Sequence, residues 1–401
     1  MAAKTSYDVV VVGGGIAGSC LAGVLARGGL SVLLLEREST FRDRVRGELT
    51  WPWGVNEARR AGLDGVQRTV GAVPVRSLTR YEGGVVAESD WEVPAEETPG
   101  LGFLHPRFQE CAFTWASAQG AETIRPAKAV GFARNGLSTV RVLRDGSATA
   151  YTARLVVAAD GKLSAARRWT GGETVVDREH HRLGGVLVAG ANFERSAVNY
   201  AWSPGEMVIW FAAGADHMRL YVTLPADRLR ATGIDRSFDT LIGFVAERLP
   251  KGTVSNSEQA GPIGFFSNCG TWASELAADG IVLIGDAAGA PDPSQGHGTS
   301  LLFWDVRVLS ELLFASTNWD NAIRAYAEQR RRVYDVMLAY DRWWQIFYDT
   351  SAEAARSLER HFLAREHDPT LGGFALLETH GPAGLVADEA ARRRWFGEDV
   401  R

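Results

Sequence analysis

The chain has 401 residues, of which 46% are hydrophobic and 23% charged, so it can form more than one domain with a substantial core. Its formal net charge of -5 argues against nucleic-acid binding, and no apolar run is long enough to predict a membrane span. Three widely spaced cysteines argue against a disulfide framework or a cysteine-based zinc site, and the N-terminal residues lack signal-peptide features, so we expect a cytoplasmic protein.

The first predicted elements are a strand, a tight turn and a helix. Residues 9–12 form a β-branched run that is typical of a strand buried in a parallel sheet. Three glycines then match G-x-G-x-x-G, in which the first permits the turn, the second lets a pyrophosphate approach the backbone and the third lets the helix pack on the strand. The predicted dinucleotide-binding positions are Gly13, Gly15, Ile16, Ala17 and Gly18.

An acidic residue follows the next predicted strand, residues 31–35. Glu36 can accept hydrogen bonds from ribose hydroxyls there, which favours the unphosphorylated ribose of NAD or FAD over the 2′-phosphate of NADP. Arg37 follows Glu36 and belongs to the predicted cofactor site. This context of strand, glycine turn, helix and acid favours dinucleotide binding over a merely tight turn.

The sequence of residues 54–157 predicts several short helices and strands that follow one another closely. A helix is expected over about residues 54–60, short strands over 71–97 and a second helix over 106–119. Residues 140–142 and 151–157 alternate as a hairpin does, and the second of these segments leads into a buried strand.

The pattern changes over residues 176–270, which predict an antiparallel sheet covered by a helix at about 237–248. An apolar strand at 281–284 then returns the chain to the first domain. Helices are predicted over residues 299–314 and through 320–365.

Two later segments repeat the arrangement of a buried strand that ends in glycine and a carboxylate. Residues 159–168 contain Asp160 and match the pattern A-D-G-x-x-S-x-x-R, and residues 285–288 contain Gly285 and Asp286. Three ordered motifs of this kind resemble the class A FAD-dependent monooxygenases, the para-hydroxybenzoate hydroxylase-like family, from Tyr7 to about Leu313. Further positions that match this family are Pro293, Gly296, Gly298 and Asp305.

The resemblance implies an α/β fold with a Rossmann-like FAD-binding domain, an inserted antiparallel-sheet substrate domain and C-terminal helices. The expected FAD-binding domain is discontinuous and comprises residues 1–75, 98–175 and 271–330. The expected substrate domain comprises residues 76–97 and 176–270, and the C-terminal helical region is 331–401.

The resemblance also implies roles for individual residues. Asp286 would accept hydrogen bonds from the ribityl chain of FAD, while the glycine motif and the acid after the second strand would hold the ADP half. Arg107 would reach FAD from its helix, and Asp160 would support the pyrophosphate region or contact the nicotinamide cofactor. Arg46 or Arg44 would contact the flavin, although a solvated charged loop is an equal alternative for Arg46.

The loop from Pro293 to Gly298 is expected to lie against the flavin ring. Its glycines would let backbone N–H groups approach the ring, and the following helix would point its positive end at the flavin N1–C2=O edge. His297 would lie beside the ring, either as a base or, as we favour, as an ordinary polar loop residue. Gly289 and Ser300 depart from the family pattern, which commonly has His and Asn there.

The activity implied by the resemblance is that of a monooxygenase. NAD(P)H would reduce FAD, and O2 would form a C4a-hydroperoxyflavin that hydroxylates or epoxidises an apolar, aromatic or polycyclic secondary metabolite. The chain has no second G-x-G-x-x-G for NAD(P)H, as the family permits. Substrate is expected under the inserted sheet, where we select His217, Tyr221 and Trp210 as candidate contacts, although strand aromatics are usually core residues.

Other functions stay open. Residues 47–52 resemble the G-E-x-x-x-P stretch of geranylgeranyl reductase-like proteins and flavin-dependent halogenases, so an FAD-dependent reductase is one alternative. A halogenase is less favoured, because the chain has no lysine between Lys4 and Lys128 and lacks the family's W-x-W-x-I-P motif. A flavin-bearing binding or sensing protein without turnover is a third alternative. The oligomeric state is open.

Overall fold

The computed structural model describes residues 4–367 and 375–398. The strands in chain order are β1 (Ser6–Val12), β2 (Val32–Leu35), β3 (Leu49–Thr50), β4 (Val73–Val75), β5 (Ser77–Glu82), β6 (Val85–Glu92), β7 (Gly100–Gly102), β8 (Glu122–Ile124), β9 (Lys128–Asn135), β10 (Leu137–Arg144), β11 (Ser147–Ala158), β12 (Thr174–Val176), β13 (Arg182–Ala189), β14 (Ala197–Ser203), β15 (Glu206–Ala212), β16 (His217–Leu224), β17 (Glu258–Gln259), β18 (Gly264–Ser267), β19 (Thr271–Ala273), β20 (Ala277–Ala278), β21 (Ile281–Leu283) and β22 (Gly289–Ala290).

The helices in chain order are α1 (Ile16–Arg27), α2 (Pro52–Arg60), α3 (Asp64–Thr69), α4 (His105–Ala118), α5 (Ala226–Thr232), α6 (Phe238–Ala246), α7 (Gly298–Ala315), α8 (Trp319–Trp344), α9 (Ala352–His367), α10 (Ala375–His380) and α11 (Glu389–Trp395). Among the described residues, no helix combines the length and the apolar character that crossing a membrane requires.

The first sheet is built around β1, which pairs in parallel with β2 on one side and β11 on the other. The strand order is β20-β21-β11-β1-β2-β8, and β10 and β9 extend from β11 as antiparallel strands. Val9 and Val11 share a core with α1, whereas Val10 and Val12 share a core with β10. The valine run of β1 is therefore buried on both faces, as its sequence predicts.

The second sheet has the order β17-β13-β16-β15-β14-β5-β6, and β18 also pairs with β13. Its pairs are antiparallel except for β14 and β5, which run in parallel. One face packs against α5 and α6. The antiparallel sheet with a covering helix that the sequence predicts is confirmed.

Most predicted helices lie within a few residues of their expected bounds, in α2, α4, α6 and α7. The segment 320–365 is not one helix, because a 3-10 turn at Gln345–Phe347 separates α8 from α9. Here Trp202 of β14 donates from Nε1 to the carbonyl of Phe347 at 2.9 Å, which fixes the turn against the second sheet. The domain boundaries drawn from the sequence stay a prediction.

Candidate functional site

The glycine turn between β1 and α1 is closely packed at two positions and open at the third. Gly13 has φ +108°, and a Cβ there would lie 2.4 Å from the carbonyl oxygen of Ala159. A Cβ at Gly18 would lie 1.9 Å from the carbonyl oxygen of Gly13. At Gly15 the nearest atom to a Cβ would be Nε2 of Gln109 at 3.9 Å. The turn therefore leaves open space where a pyrophosphate is predicted.

Glu36 is buried at the end of β2, beside this turn. Its Oε2 accepts a hydrogen bond from the backbone N–H of Gly14 at 2.7 Å, and Oε1 accepts one from Glu38 at 2.7 Å. These bonds fix the carboxylate next to the glycine turn. Ile16 is buried in the first turn of α1, whereas the side chain of Arg37 is 60% exposed.

Asp160 organises the turn that follows β11. Its Oδ2 accepts hydrogen bonds from the N–H groups of Ala165 at 2.9 Å and Ala166 at 3.2 Å. Its Oδ1 is buried and has no hydrogen-bond partner among the described residues. Asp160 thus stabilises the loop and keeps one acceptor for a further donor.

Arg167 joins the second motif to the third, a role that the sequence alone did not assign. Its guanidinium donates to the carbonyl of Ala287 at 2.8 Å and to that of Asp286 at 2.7 Å. Because Arg167 is buried, these charge-assisted bonds hold the two turns together.

The third motif is fixed from behind by a buried ion pair. Asp305 of α7 accepts from the N–H of Gly285 at 2.7 Å and from Nε of Arg330 at 2.6 Å. Arg330 also donates to the carbonyl of Gly289 at 3.0 Å. The backbone around Asp286 is therefore held by α7 and α8 together.

Two departures from the family pattern have packing reasons. A Cβ at Gly289 would lie 3.1 Å from the ring of Tyr334 and 3.2 Å from Trp272, so a larger residue there would crowd both rings. Ser300 accepts a hydrogen bond at 3.0 Å from the N–H of Trp51. A Cβ at Gly54 would lie 2.4 Å from Ser300, so α2 and α7 approach closely at this point.

The 18-residue helix α7 begins at Gly298, beside the third motif. A Cβ at Gly298 would have only Oδ1 of Asp286 near it, at 4.0 Å. Open space therefore lies at the N-terminus of α7, as it does at Gly15. Both spaces border the predicted FAD-binding residues, and the backbone N–H groups and the helix dipole there suit a phosphate or a reduced flavin. The residues present fit FAD.

Arg46 and Arg107, which the resemblance assigns to the FAD site, have different surroundings. The carbonyl of Arg46 accepts a hydrogen bond from the hydroxyl of Tyr221, so this loop is tied to β16. Arg107 is exposed in the first turn of α4, and its guanidinium lies about 3.4 Å from the place where a Cβ of Gly71 would be. Their contacts with FAD stay a prediction.

A partly open cavity lies between the second sheet and the Pro293–Gly298 loop. Strands of the sheet contribute mainly apolar side chains, and the loop contributes residues 293–296. Residues 47–49 and Trp51 complete the wall. The apolar side chains from the sheet include Leu183, Val198, Met207, Ile209, Phe211 and Tyr221.

A buried charged cluster borders the cavity at Glu48. Arg219 of β16 donates to Glu48 through both Nε, at 2.5 Å, and Nη2, at 3.0 Å, and to Asp43 at 2.9 Å. Burial raises the pKa of Glu48, and the adjacent Arg219 opposes this shift. Between the two carboxylates Val45 has φ +52°, a strained value for a β-branched residue, so Arg219 holds a strained loop in place.

A second polar group, which we call the histidine cluster, borders the cavity at Ser294. The Oγ of Ser294 lies 2.7 Å from Nε2 of His181, which is buried. Burial lowers the pKa of His181 to about 3. Burial acts to raise the pKa of Asp292, but hydrogen bonding from His180 and the charge of both histidines lower it. The cluster consists of Ser294, His181, His180, Asn268 and Asp292.

The structure separates the candidate catalytic residues. Tyr221 lines the cavity, but its hydroxyl is bonded to the backbone, and burial raises its pKa. His217 begins β16 and is not among the cavity-lining residues. His297 is fully buried near the rings of Trp51 and Trp53, and burial lowers its pKa to about 3.

Trp210 lies on the other face of the sheet, in the core with α5 and α6, so it does not contact the cavity. Neither the Arg219 cluster nor the histidine cluster was predicted from the sequence. Alternation along β16 could have placed Arg219 on the same face as Tyr221. No local pattern marks the contact between His181 and Ser294, which lie 113 positions apart.

A family model described as FAD binding domain matches residues 6–340. The chain belongs to the FAD binding domain family. This flavoprotein is an FAD-dependent oxidoreductase, and its resemblance to the FAD-dependent monooxygenases is confirmed.

The curated relatives include two kinds of enzyme. Digeranylgeranylglycerophospholipid reductase 1 of Methanococcoides burtonii is 26% identical over 313 residues, which cover 74% of this chain and 72% of that protein. Squalene epoxidase erg1 of Aspergillus fumigatus is 25% identical over 320 residues, which cover 76% of this chain and 66% of that protein.

Among solved structures, p-nitrophenol 4-monooxygenase PnpA from Pseudomonas putida has a TM-score of 0.78 with this flavoprotein at 20% identity. The match covers 96% of this chain and 100% of that one. It shows the same fold over nearly the whole of both chains.

Proposed function

We propose that this flavoprotein uses NAD(P)H and O2 to insert one oxygen atom into an apolar, aromatic or polycyclic small molecule of secondary metabolism, by hydroxylation or epoxidation. The main support is the cavity that the Pro293–Gly298 loop shares with the apolar face of the second sheet. A concave site lined mainly by apolar and aromatic side chains, with a few polar groups at its edge, is typical of a small-molecule site. Bound FAD would supply the redox chemistry.

The residues of the chain would bind the cofactor, position the substrate and exclude water. The first motif packs against the second where Gly13 meets Ala159, and Arg167 joins the second motif to the third, so the cofactor would meet a fixed set of turns. The apolar wall would keep water from the reacting atoms, which matters because reactive oxygen intermediates are lost by hydrolysis or release. Neither Tyr221 nor His297 is proposed as an acid or base, because one is bonded to the backbone and the other is outside the cavity lining.

The direct test measures NAD(P)H oxidation and O2 uptake by the yellow purified protein with a panel of aromatic polyketides and indoles. We expect substrate to accelerate NAD(P)H oxidation, with O2 consumed in proportion to oxygenated product and little peroxide released. Oxidation that no substrate stimulates would contradict the proposal.

Gly15→Ala tests the cofactor site separately. The added methyl group meets no protein atom within 3.9 Å, and Gly15 has φ -65°, so the fold should tolerate the change. We expect FAD to bind at least about tenfold more weakly, because the methyl group takes the space of the pyrophosphate.

The matched control is Gly243→Ala in α6, where a Cβ also meets nothing within 4 Å. That variant should retain FAD as the unmodified protein does. Equal FAD affinity in both variants, measured by fluorescence titration, would contradict the predicted position of the pyrophosphate.

A reductase that saturates a prenyl or similar hydrocarbon is the second candidate. The apolar lining of the cavity would also suit such a chain, and the reductase relatives favour this alternative. A reductase would form product without consuming O2 in proportion. Halogenation has less support, because none of the described cavity-lining residues is a lysine.

A further inference from the structure

One end of the cavity carries three neighbouring hydroxyl groups, which we call the hydroxyl cluster: Ser294, Thr223 and Tyr348. Ser294 lines the cavity itself. Thr223 of β16 pairs in register with Leu183 and Met207, which both line the cavity, so its side chain lies on the same face of the sheet. Tyr348 follows the 3-10 turn after α8, and its hydroxyl donates to Sδ of Met207 at 3.8 Å. The apolar wall therefore meets a polar region at this end.

The hydrogen bonds of this cluster are incomplete. Oγ1 of Thr223 is buried and forms no hydrogen bond with any of the described residues. The sulfur of Met207 is only a weak acceptor for the hydroxyl of Tyr348. Burial raises the pKa of Tyr348, while the hydroxyls of Ser294 and Thr223, which lie next to its own, act to lower it. Buried hydroxyls that lack good partners cost free energy, and a bound polar group recovers it.

The histidine cluster determines how the hydroxyl of Ser294 can act. Oδ1 of Asn268 accepts from the backbone N–H of His181 at 3.2 Å, while Nδ2 donates to Oδ2 of Asp292 at 2.8 Å. These two bonds fix the orientation of the amide. Its other Nδ2 hydrogen therefore points to Nε2 of His180, which lies 2.9 Å away. His180 accepts at Nε2 and carries its proton on Nδ1.

The remaining proton positions follow from His180 to the cavity. Nδ1–H of His180 donates to Nδ1 of His181. Burial lowers the pKa of His181 to about 3, so this ring is neutral near pH 7 and its single proton lies on Nε2. That Nε2–H donates to Oγ of Ser294 at 2.7 Å. Ser294 is thus an acceptor toward the histidine and keeps its own O–H to donate to Tyr348 or into the cavity.

Two other polar side chains of the cavity wall are already engaged with protein groups. The hydroxyl of Tyr221 donates to the carbonyl of Arg46, and the carboxylate of Glu48 pairs with Arg219. Neither needs a ligand to complete these bonds. The hydroxyl cluster is therefore a better anchoring point for a bound molecule than either of them.

We propose that the hydroxyl cluster is a binding subsite for a carbonyl oxygen on an otherwise apolar, aromatic or polycyclic substrate. The inference rests on the proposed function for the use of this cavity, and it names the chemical group by which the substrate is held. Three O–H donors meet here, and His181 already occupies one lone pair of Ser294, so the region suits an acceptor. A carbonyl oxygen has two lone pairs and no proton, so it can accept from two of these hydroxyls while the substrate keeps all its protons.

The first test examines the direction of these hydrogen bonds in the FAD-loaded protein without ligand. Nitrogen-15 histidine spectra near pH 7 should show a protonated Nε2 and an unprotonated Nδ1 in His181. Ser294→Ala should keep this arrangement, because it is set from the side of Asn268. An unprotonated Nε2 in His181 would overturn the inference, because Ser294 would then have to donate to the histidine.

The second test compares 9-fluorenone with fluorene, which has the same ring skeleton without the carbonyl group. Their affinities are read from the displacement of 7-hydroxycoumarin, a fluorescent lactone. Ser294→Ala should weaken binding of fluorenone about tenfold and leave the affinity for fluorene unchanged. The loop should stay intact, because the backbone N–H of Ser294 still donates to Oδ1 of Asp292 at 2.9 Å. An unchanged affinity for fluorenone, or failure of both compounds to bind, would contradict the proposal.

The infrared spectrum of bound fluorenone provides a signal that a merely structural role would not change. Hydrogen bonds to a carbonyl oxygen weaken the C=O bond and lower its stretching frequency. With carbon-13-labelled fluorenone, the band should lie at lower frequency in the unmodified protein than in Ser294→Ala. The same frequency in both proteins would show that Ser294 does not donate to the carbonyl.

Thr223→Val tests the second hydroxyl in a side chain of the same shape. Because Oγ1 has no hydrogen-bond partner to lose, the free energy of unfolding of the FAD-loaded protein should not fall. Affinity for fluorenone should fall about threefold or more, and that for fluorene should not. Lower stability with an unchanged affinity for fluorenone would exclude Thr223 from the subsite.

Ser310→Ala is the matched control, because it removes a buried hydroxyl of α7 that donates to the carbonyl of Arg307 at 3.0 Å and does not line the cavity. Both affinities should equal those of the unmodified protein. None of these measurements depends on turnover. Failure of the proposed monooxygenase function would therefore appear in the O2 assay and leave the binding results unchanged.

Discussion

The two faces of the second sheet differ in how their side chains are used. On one face Leu220 and its neighbours pack against α5 and α6 in a closed apolar core. On the other face Arg219 and Tyr221 point toward the cavity side, where Arg219 pairs with Glu48 and Asp43. Adjacent residues of β16 thus serve opposite purposes, since successive side chains of a strand point to opposite faces.

The two faces of the second sheet contribute differently to the stability of the protein. The core face removes apolar surface from water, which is the main source of stability. The cavity face leaves space between its side chains and the Pro293–Gly298 loop, and it also buries charges and a strained Val45. Unfilled space, buried charges and backbone strain all lower stability on this face, which is consistent with a binding site rather than a structural core.

The largest effect is expected on the cavity face, for Arg219→Met. This change leaves two carboxylates, of which Glu48 is completely buried, without their cation. Breaking a buried ion pair in this way typically costs about 3–5 kcal/mol. Urea unfolding of the FAD-loaded protein should show that loss in the free energy of unfolding.

The control is Arg332→Met, which removes an exposed ion pair with Glu328, whose side chains are 69% and 71% exposed. Such pairs contribute about 0–1 kcal/mol, so stability should hardly change. If both variants lose the same small amount, Arg219 does not hold the strained loop.

A second prediction separates binding from stability across the sheet. Ile209→Trp should fill part of the cavity and weaken binding of 7-hydroxycoumarin about tenfold, or about 1.4 kcal/mol, because Ile209 lines the wall. Leu220→Ala should instead lower the free energy of unfolding by about 2–5 kcal/mol and leave affinity unchanged, because Leu220 lies on the core face. Unchanged affinity in Ile209→Trp would place the ligand elsewhere.

A third and smaller effect concerns pH and the loop at the edge of the cavity. Burial lowers the pKa of His297 to about 3 from its ordinary value of 6.5. Below about pH 6.5 the unfolded chain therefore binds a proton that the folded chain does not, and stability falls as pH falls toward 3. The slope from this residue is about 1.4 kcal/mol per pH unit.

The measurement compares urea unfolding at several pH values for the unmodified protein, His297→Gln and His380→Gln. In His297→Gln the free energy of unfolding should depend less steeply on pH, by about 1.4 kcal/mol per pH unit. His380→Gln is the control for the loss of a histidine side chain, because His380 is exposed in α10. Identical slopes in all three proteins would show that His297 is not buried as a neutral ring.

Short-range patterns predicted the first sheet and its motifs well. The strand β1, the turn at Gly13 and the helix α1 follow from valines, glycines and their spacing, and the structure confirms them. Predictions about the cavity were less successful. The candidate contact Trp210 lies on the core face, because alternation alone does not say which face of a strand meets the helices and which meets the cavity.

The sequence by itself determined the local elements, because β-branched runs, glycine turns and helical periodicity act over a few residues. It also determined the order of the three motifs along the chain. Only the tertiary structure decided how they converge, through the contact of Gly13 with Ala159 and the hydrogen bonds of Arg167, and which buried charges border the cavity. The reason is physical. A buried polar atom must find a partner wherever the fold places one, and for His181 that partner is a serine 113 positions away.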